Sequence, residues 1–194
     1  MHRFILWFRN DLRLHDNYII DYALKHAAKN KEIVPVFSFD DRIYDKASKT
    51  KFKSIKTGAL RAQFMIESLE NLKKNFREIG SDMLVTIERP EIFIPKLLSK
   101  DAENIILFQT EICSEEKYVD NKIRKNVSGL KNVEVKELWG STIYHIDDLP
   151  YSVENLSHIY GKFREKSQSA KIRECVPTPT KGSLPFAKNL PDEI

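Results

Sequence analysis

Glycine is scarce in this sequence, with six residues in 194. Neither G-x-G-x-x-G nor G-x-x-x-x-G-K-[ST] occurs, and these are the two common loops that hold phosphate groups at a helix N-terminus. A nucleotide-binding domain that depends on either loop is therefore excluded. Any other ligand site has to be argued from its own residues, because a fold alone does not specify a ligand.

Cysteine is rarer still. The two cysteines, Cys113 and Cys175, form no C-x-x-C pair, so no disulfide framework is expected and a reducing compartment is the simpler expectation. The cytoplasm, an organelle and the nucleus all stay open. No apolar run approaches the length of a membrane span, and the first predicted strand begins at Arg3. We therefore expect no membrane segment and no cleavable targeting peptide in this sequence.

Histidines and net charge exclude further classes of site. The five histidines show no metal-ligand spacing beside cysteines or carboxylates, and no nucleophile lies near a base in a recognisable pattern. The net charge of +4 is mild and does not by itself indicate nucleic-acid binding. The sequence thus predicts neither a metal centre nor a catalytic constellation.

Short apolar runs and helical periodicities alternate five times along the chain. This alternation predicts an α/β fold, a five-stranded parallel, doubly wound (Rossmann-like) sheet with helices on both faces. The predicted strands are 3–8, 32–40, 82–87, 104–108 and 133–138, and the predicted helices are 18–29, 58–79, one beginning at Pro90, and 115–127. In the long helix, the predicted core residues are Leu60, Phe64, Leu69, Leu72 and Phe76.

Composition divides the chain into three parts. Residues 1–138 carry the alternation and form the predicted α/β domain. Residues 139–174 form a predicted structured connector, with aromatic anchors and a short basic helix. Residues 175–194 contain four prolines and a charged end, which is linker composition and predicts poor order.

Alternating charges follow the first strand directly. The apolar run 3–8 is typical of a strand buried on both faces, and Asp16 or Asn17 can cap the next helix. The charges between them fall at the carboxyl end of a central strand, where ligands of open α/β sheets bind. From the residues alone, ion pairs that only fix the turn are the more frequent explanation. The four charged side chains are Arg9, Asp11, Arg13 and Asp16.

A second candidate site follows the fourth strand. Glu115 and Glu116 are ordinary first-turn residues of the next helix, where the helix dipole favours anions. Glu111 is less easily explained, because it precedes the expected cap at Ser114. A carboxylate there can accept a pair of hydrogen bonds from an amino-heterocycle such as a pterin, although a structural role is commoner for such groups.

Several motifs resemble the photolyase/cryptochrome family. Residues 7–17, Trp-Phe-Arg-Asn-Asp-Leu-Arg-Leu-His-Asp-Asn, look like its opening signature, without a gap. The DASH cryptochrome branch is the most similar. The stretches that carry this likeness are 57–61, 111–116, 139–151 and 160–164, and the match runs from Met1 to about Lys171.

The resemblance implies a light-dependent function shared between two domains. In the family, an N-terminal α/β domain carries an antenna chromophore, usually 5,10-methenyltetrahydrofolate, and a helical C-terminal domain holds FAD and repairs pyrimidine dimers. In the DASH branch the preferred lesion lies in single-stranded DNA. Signalling in place of repair stays open. Glu111 is the position implied for folate contact, with Glu115 as the fallback. Arg9, Asp11 and Arg13 would be architectural.

The chain ends where the link to the helical domain is expected, so FAD and DNA would be reached only through that domain, in cis or in trans. Alone, the chain is not expected to be catalytic. Two alternatives stay open: a stand-alone interaction module or remnant without photochemistry, and, as the weakest, an unrelated nucleotide-binding domain of the same sheet type.

Overall fold

A computed structural model describes residues 1–26, 30–44, 51–52, 54–188 and 190. The strands are β1 (His2–Trp7), β2 (Lys31–Ser38), β3 (Leu84–Thr86), β4 (Glu103–Gln109) and β5 (Val133–Leu138). The helices are α1 (Tyr18–Lys25), α2 (Asp41–Tyr44), α3 (Ala59–Glu78), α4 (Pro90–Lys96), α5 (Ser114–Val127) and α6 (Tyr160–Ser167). The last three residues predicted for the first helix, 27–29, lie outside the described residues.

The five strands form one parallel sheet in the order β3-β2-β1-β4-β5, which confirms the predicted fold. The central strand β1 is buried on both faces, because its side chains alternate between two apolar layers. Phe4 and Leu6 pack with α1 and α3, while Ile5 and Trp7 pack with α4 and α5. Pro90 occupies the first turn of α4, as predicted.

The predicted core side of α3 was wrong over its first two turns. Leu60 is 85% exposed and Phe64 is 66% exposed. The buried residues are Met65, Leu69, Leu72 and Phe76, which recur within one narrow stripe at 3.6 residues per turn. Viewed down the helix axis, Phe64 lies about 100° from Met65 of that stripe, and Leu60 lies about 140° from it. A spacing of three to five residues was too loose a criterion to separate the two faces.

Residues 184–187 of the proline-rich C-terminal segment pack on the domain. Ile33 N–H donates to Pro185 O at 2.8 Å, and Ala187 N–H donates to Ile33 O at 3.1 Å. Leu184 is fully buried in the core cluster. The described part of residues 175–194 therefore has defined contacts that the composition did not indicate, whereas the domain boundaries at 138 and 174 remain predictions.

The packing of this segment follows from an incomplete strand pair. β3 pairs only with residues 36–38 of β2, which leaves the outer backbone of Ile33 available. Pro35 lies between the segment's contact at Ile33 and the start of the β3 pairing. Its missing N–H therefore costs no ladder hydrogen bond there, in agreement with the predicted free donor position.

Candidate functional site

The carboxyl ends of β1 and β4 lie side by side at the centre of the sheet. In the sheet, β2 and β3 lie on one side of β1, whereas β4 and β5 lie on its other side. This reversal of strand order opens a crevice at the carboxyl edge, where doubly wound sheets bind ligands. Both stretches singled out in the sequence, after the first and fourth strands, reach this edge.

Arg9 is buried rather than presented to a ligand. Its guanidinium lies 3.7 Å from the ring centre of Trp7 and 4.8 Å from that of Phe108, as in cation–π pairs. It also forms an ion pair with Asp120 of α5. Nε and Nη1 have no hydrogen-bond partner among the described residues. The ion pair joins the loop after β1 to α5, and the architectural role of Arg9 remains a prediction.

Asp11 and Asn17 hold the same loop from the other side. The Asp11 carboxylate accepts the Arg9 N–H at 3.1 Å, and Asn17 Nδ2 donates to Asp11 O at 3.2 Å. Asn17 Oδ1 caps α1 by accepting the N–H groups of Ile19 and Ile20. Of the two candidates from the sequence, Asp16 and Asn17, it is Asn17 that caps α1.

Asp16 and Arg13 stabilise the turn and tie it to the C-terminal segment. Asp16 adopts a positive φ of 49°, and its N–H donates to Val176 O at 2.9 Å. Val176 N–H returns a hydrogen bond to Asp16 Oδ1 at 3.1 Å. Arg13 donates to the backbone oxygens of His15 and Asp16. These charges fix the backbone.

Asp11 should make stability depend on pH. Burial raises the pKa of its carboxyl above 3.8, and hydrogen bonds from Arg9 N–H and Asn17 offset this only in part. The native state then holds the proton more tightly than the unfolded chain, so stability falls as pH rises from 3.8 toward the raised pKa. We expect the free energy of unfolding of Asp11→Asn to fall less over this pH range. The variant should therefore become more stable relative to the wild type as the pH rises.

Urea unfolding between about pH 4 and pH 7 measures that difference. The exposed Asp101→Asn is the control and should follow the wild-type curve. Parallel curves for Asp11→Asn and the wild type would contradict the expectation.

A cleft of about 570 Å³ opens beside this loop, at the ends of β4 and β5. Its walls combine aromatic and aliphatic side chains with both signs of charge. They are formed by Tyr18, Thr110, Glu111, Ile112, Lys117, Glu137, Leu138, Trp139, His145, Ile146, Asp147 and Arg173. Apolar walls with a few polar groups are typical of small-molecule sites.

The connector after β5 closes one side of the cleft. Gly140 approaches Tyr18 so closely that a Cβ atom there would lie 3.0 Å from the ring. Trp139 Nε1 donates to Thr142 Oγ1 at 2.8 Å, and Arg173 holds Asp148 through two hydrogen bonds of 2.6 and 3.0 Å. The sequence identified Trp139 only as an aromatic anchor. It gave no signal for Tyr18 or Arg173 as cleft residues.

The two predicted contact residues are separated by the structure. Glu111 lines the cleft, and its Oε1 accepts a hydrogen bond from Asn10 Nδ2 at 2.8 Å. Its other carboxylate oxygen has no partner among the described residues. Glu115 does not line the cleft and forms an ion pair with Lys56 at 2.5 Å. The geometry favours Glu111 over Glu115, and its contact with a ligand remains a prediction.

The cleft residues suit a flat, amino-substituted heterocycle. Trp139 and Tyr18 contribute aromatic rings to the lining, and the free oxygen of Glu111 can accept a hydrogen bond from an amino group. Within the described ranges, no group of three His, Cys, Asp or Glu could hold a metal ion. No described helix has the length and apolarity to span a membrane.

Comparison with known proteins identifies a family. The model of the DNA photolyase family matches residues 4–182. The Arabidopsis thaliana protein named blue-light photoreceptor PHR2 is 37% identical over 187 residues, which cover 96% of this chain and 39% of that protein. The Oryza sativa subsp. japonica protein named cryptochrome DASH, chloroplastic/mitochondrial, is 36% identical over 98% of this chain and 34% of its own length.

Solved structures agree with the sequence relatives. A Synechocystis cryptochrome has a TM-score of 0.83 and 33% identity over 96% of this chain and 37% of its own. A Sulfolobus tokodaii photolyase has a TM-score of 0.71 at 24% identity over 95% of this chain and 38% of its own, which shows a shared fold. The chain thus spans less than two fifths of the length of these proteins.

Proposed function

Since this chain belongs to the DNA photolyase family, as the N-terminal α/β domain of its DASH cryptochrome branch, we propose that it is a light-harvesting domain. Its cleft would bind 5,10-methenyltetrahydrofolate as an antenna. FAD would be held by a helical domain in cis or in trans, and contact with DNA would be made through that domain. Alone, the chain would bind and orient the antenna without catalysing repair.

The observation that carries this proposal is the position of Glu111 in the cleft. A carboxylate with one anchored and one free oxygen can accept hydrogen bonds from the amino-pyrimidine edge of a pterin. Tyr18 and Trp139 can stack on a planar ring. Lys117 supplies a cation that can attract the carboxylates of a folate tail. When bound, the folate supplies absorption of near-ultraviolet light.

An absorption and binding titration tests the proposal. The purified chain is titrated with 5,10-methenyltetrahydrofolate, and the near-ultraviolet band of the bound folate is recorded after gel filtration. We expect saturable binding and a loss of at least about tenfold in affinity for Glu111→Ala, because a charge-assisted hydrogen bond to the ligand is removed. Glu115→Ala, at the same strand–helix turn, should bind like the wild type.

Three results would contradict the proposal. They are no binding by the wild type, equal binding by Glu111→Ala, and loss of binding by Glu115→Ala alone, which would move the contact to the fallback residue. A flavin band from the purified chain would overturn the placement of FAD in the helical domain.

A second candidate, an interaction module without photochemistry, is favoured by the apolar side chains that the first turns of α3 expose. Leu60 and Phe64 lie one turn apart on the same side of the helix, away from the core. Exposed apolar residues that adjoin one another are typical of protein interfaces. This candidate predicts that the chain self-associates or binds protein partners while failing to retain folate.

A further inference from the structure

Asn10 lies opposite Glu111 because of the strand register. Trp7 is the register partner of Phe108 in the β1–β4 pair. Asn10 comes three positions after Trp7, and Glu111 comes three positions after Phe108. The two segments therefore place Asn10 and Glu111 at the same level beyond the sheet. A hydrogen bond of 2.8 Å joins their side chains across the crevice.

From this geometry we infer that Asn10 is a positioning residue that fixes the Glu111 carboxylate toward the cleft, an inference that rests on the proposed function. Asn10 is not among the described residues that line the cleft. It therefore acts on a ligand through Glu111. With Oε1 engaged by the Asn10 amide, Oε2 is the oxygen that stays available for the ligand.

The neighbours of Asn10 make it a rigid support. Arg9 on one side is held between two aromatic rings and Asp120, and Asp11 on the other is buried and bonded to the Arg9 N–H. With both neighbours anchored inward, the side chain of Asn10 is exposed at the edge of the sheet. A group that orients a binding residue is effective when its own backbone cannot move. The charged loop thereby gains a role at the site without touching the ligand.

The amide chemistry of Asn10 matters because Glu111 is an acceptor. An ionised carboxylate only accepts hydrogen bonds, so its partner must be a donor. Alanine at position 10 removes the donor, and aspartate replaces it with a second negative charge that repels Glu111. Aspartate has nearly the shape of asparagine. A role in packing would therefore survive Asn10→Asp, whereas a role in donation would not.

A double-mutant cycle on folate affinity tests the inference. We expect Asn10→Ala to weaken 5,10-methenyltetrahydrofolate binding about three- to tenfold and Asn10→Asp to weaken it at least as much. In the Glu111→Ala background, Asn10→Ala should change affinity by less than about twofold, because the group it positions is gone. Asn75→Ala on α3 is the matched asparagine control and should bind normally.

Equal losses from Asn10→Ala in both backgrounds, or full binding by Asn10→Asp, would overturn the inference. A readout without ligand separates it from the proposed function. NMR couplings of the Glu111 side chain should indicate one dominant rotamer in the wild type and averaging in Asn10→Ala. If the wild type binds no folate, the proposed function fails, and the NMR couplings alone test the positioning role. Rotamer averaging of the Glu111 side chain in the wild type would reject that role.

Discussion

Replacing Leu184 with aspartate should lower the free energy of unfolding by more than about 3 kcal/mol. Leu184 is fully buried in the cluster that also contains Phe4, Ile33 and Phe76. The substitution loses the burial of a leucine side chain, about 1.5–3 kcal/mol. It also forces a carboxylate into an apolar site or expels the segment from it. Leu184→Ala, which only leaves a cavity, should cost about 2–4 kcal/mol.

Urea unfolding of both variants beside the wild type measures this effect. Leu60→Asp is the matched control, because Leu60 is 85% exposed and lies in the first turn of α3, where the helix dipole favours an acidic residue. The control should stay within about 0.5 kcal/mol of the wild type. Wild-type stability for Leu184→Asp would mean that residues 176–187 are not part of the folded domain.

The second large effect is expected at the buried pair of Arg9 and Asp120. Asp120→Ala should cost about 3–5 kcal/mol, because it leaves the Arg9 guanidinium buried without its counter-ion. The side chains of Arg9 and Asp120 are only 9% and 5% exposed. Contacts with Trp7 and Phe108 remain, but ring faces do not replace a carboxylate.

Replacing both partners should behave differently from replacing one. Burial raises the pKa of the Asp120 carboxyl despite the opposing effect of Arg9, so desolvation outweighs the attraction that ionises it. Arg9→Met with Asp120→Leu should therefore be nearly neutral or stabilising, as for other buried pairs that are replaced by apolar residues.

Thermal and urea unfolding of Arg9→Met, Asp120→Leu and the double variant complete the cycle, and Asp120→Ala is measured beside them. Glu78→Ala removes the exposed pair of Lys74 and Glu78, 75% and 62% exposed, and should change stability by less than about 0.5 kcal/mol. A single Asp120→Ala variant that is as stable as the wild type would show that the buried charge is compensated elsewhere. A double variant that is less stable than either single one would contradict the dominance of desolvation.

The sequence by itself determined the sheet and the place of the candidate site. Five apolar runs alternate with helical stretches, and a chain of that pattern buries both faces of its strands only as a parallel sheet covered by helices. The Asn17 cap and the Pro90 helix start were also readable, because each depends on a few consecutive residues. Glu111 stood out because it precedes a helix without belonging to its first turn.

What only the tertiary structure decided depends on contacts between distant residues. Asn10 and Glu111 are 101 positions apart, and Asp16 and Val176 are 160 apart. Local periodicity describes which residues share a face, but it does not specify which face meets the core or which edge of β2 lacks a partner. Leu60 was therefore assigned to the wrong side of α3, and the segment that contains Leu184 was interpreted as a loose tail. Those outcomes were decided by the burial of apolar surface and the pairing of open backbone groups, which depend on the whole fold.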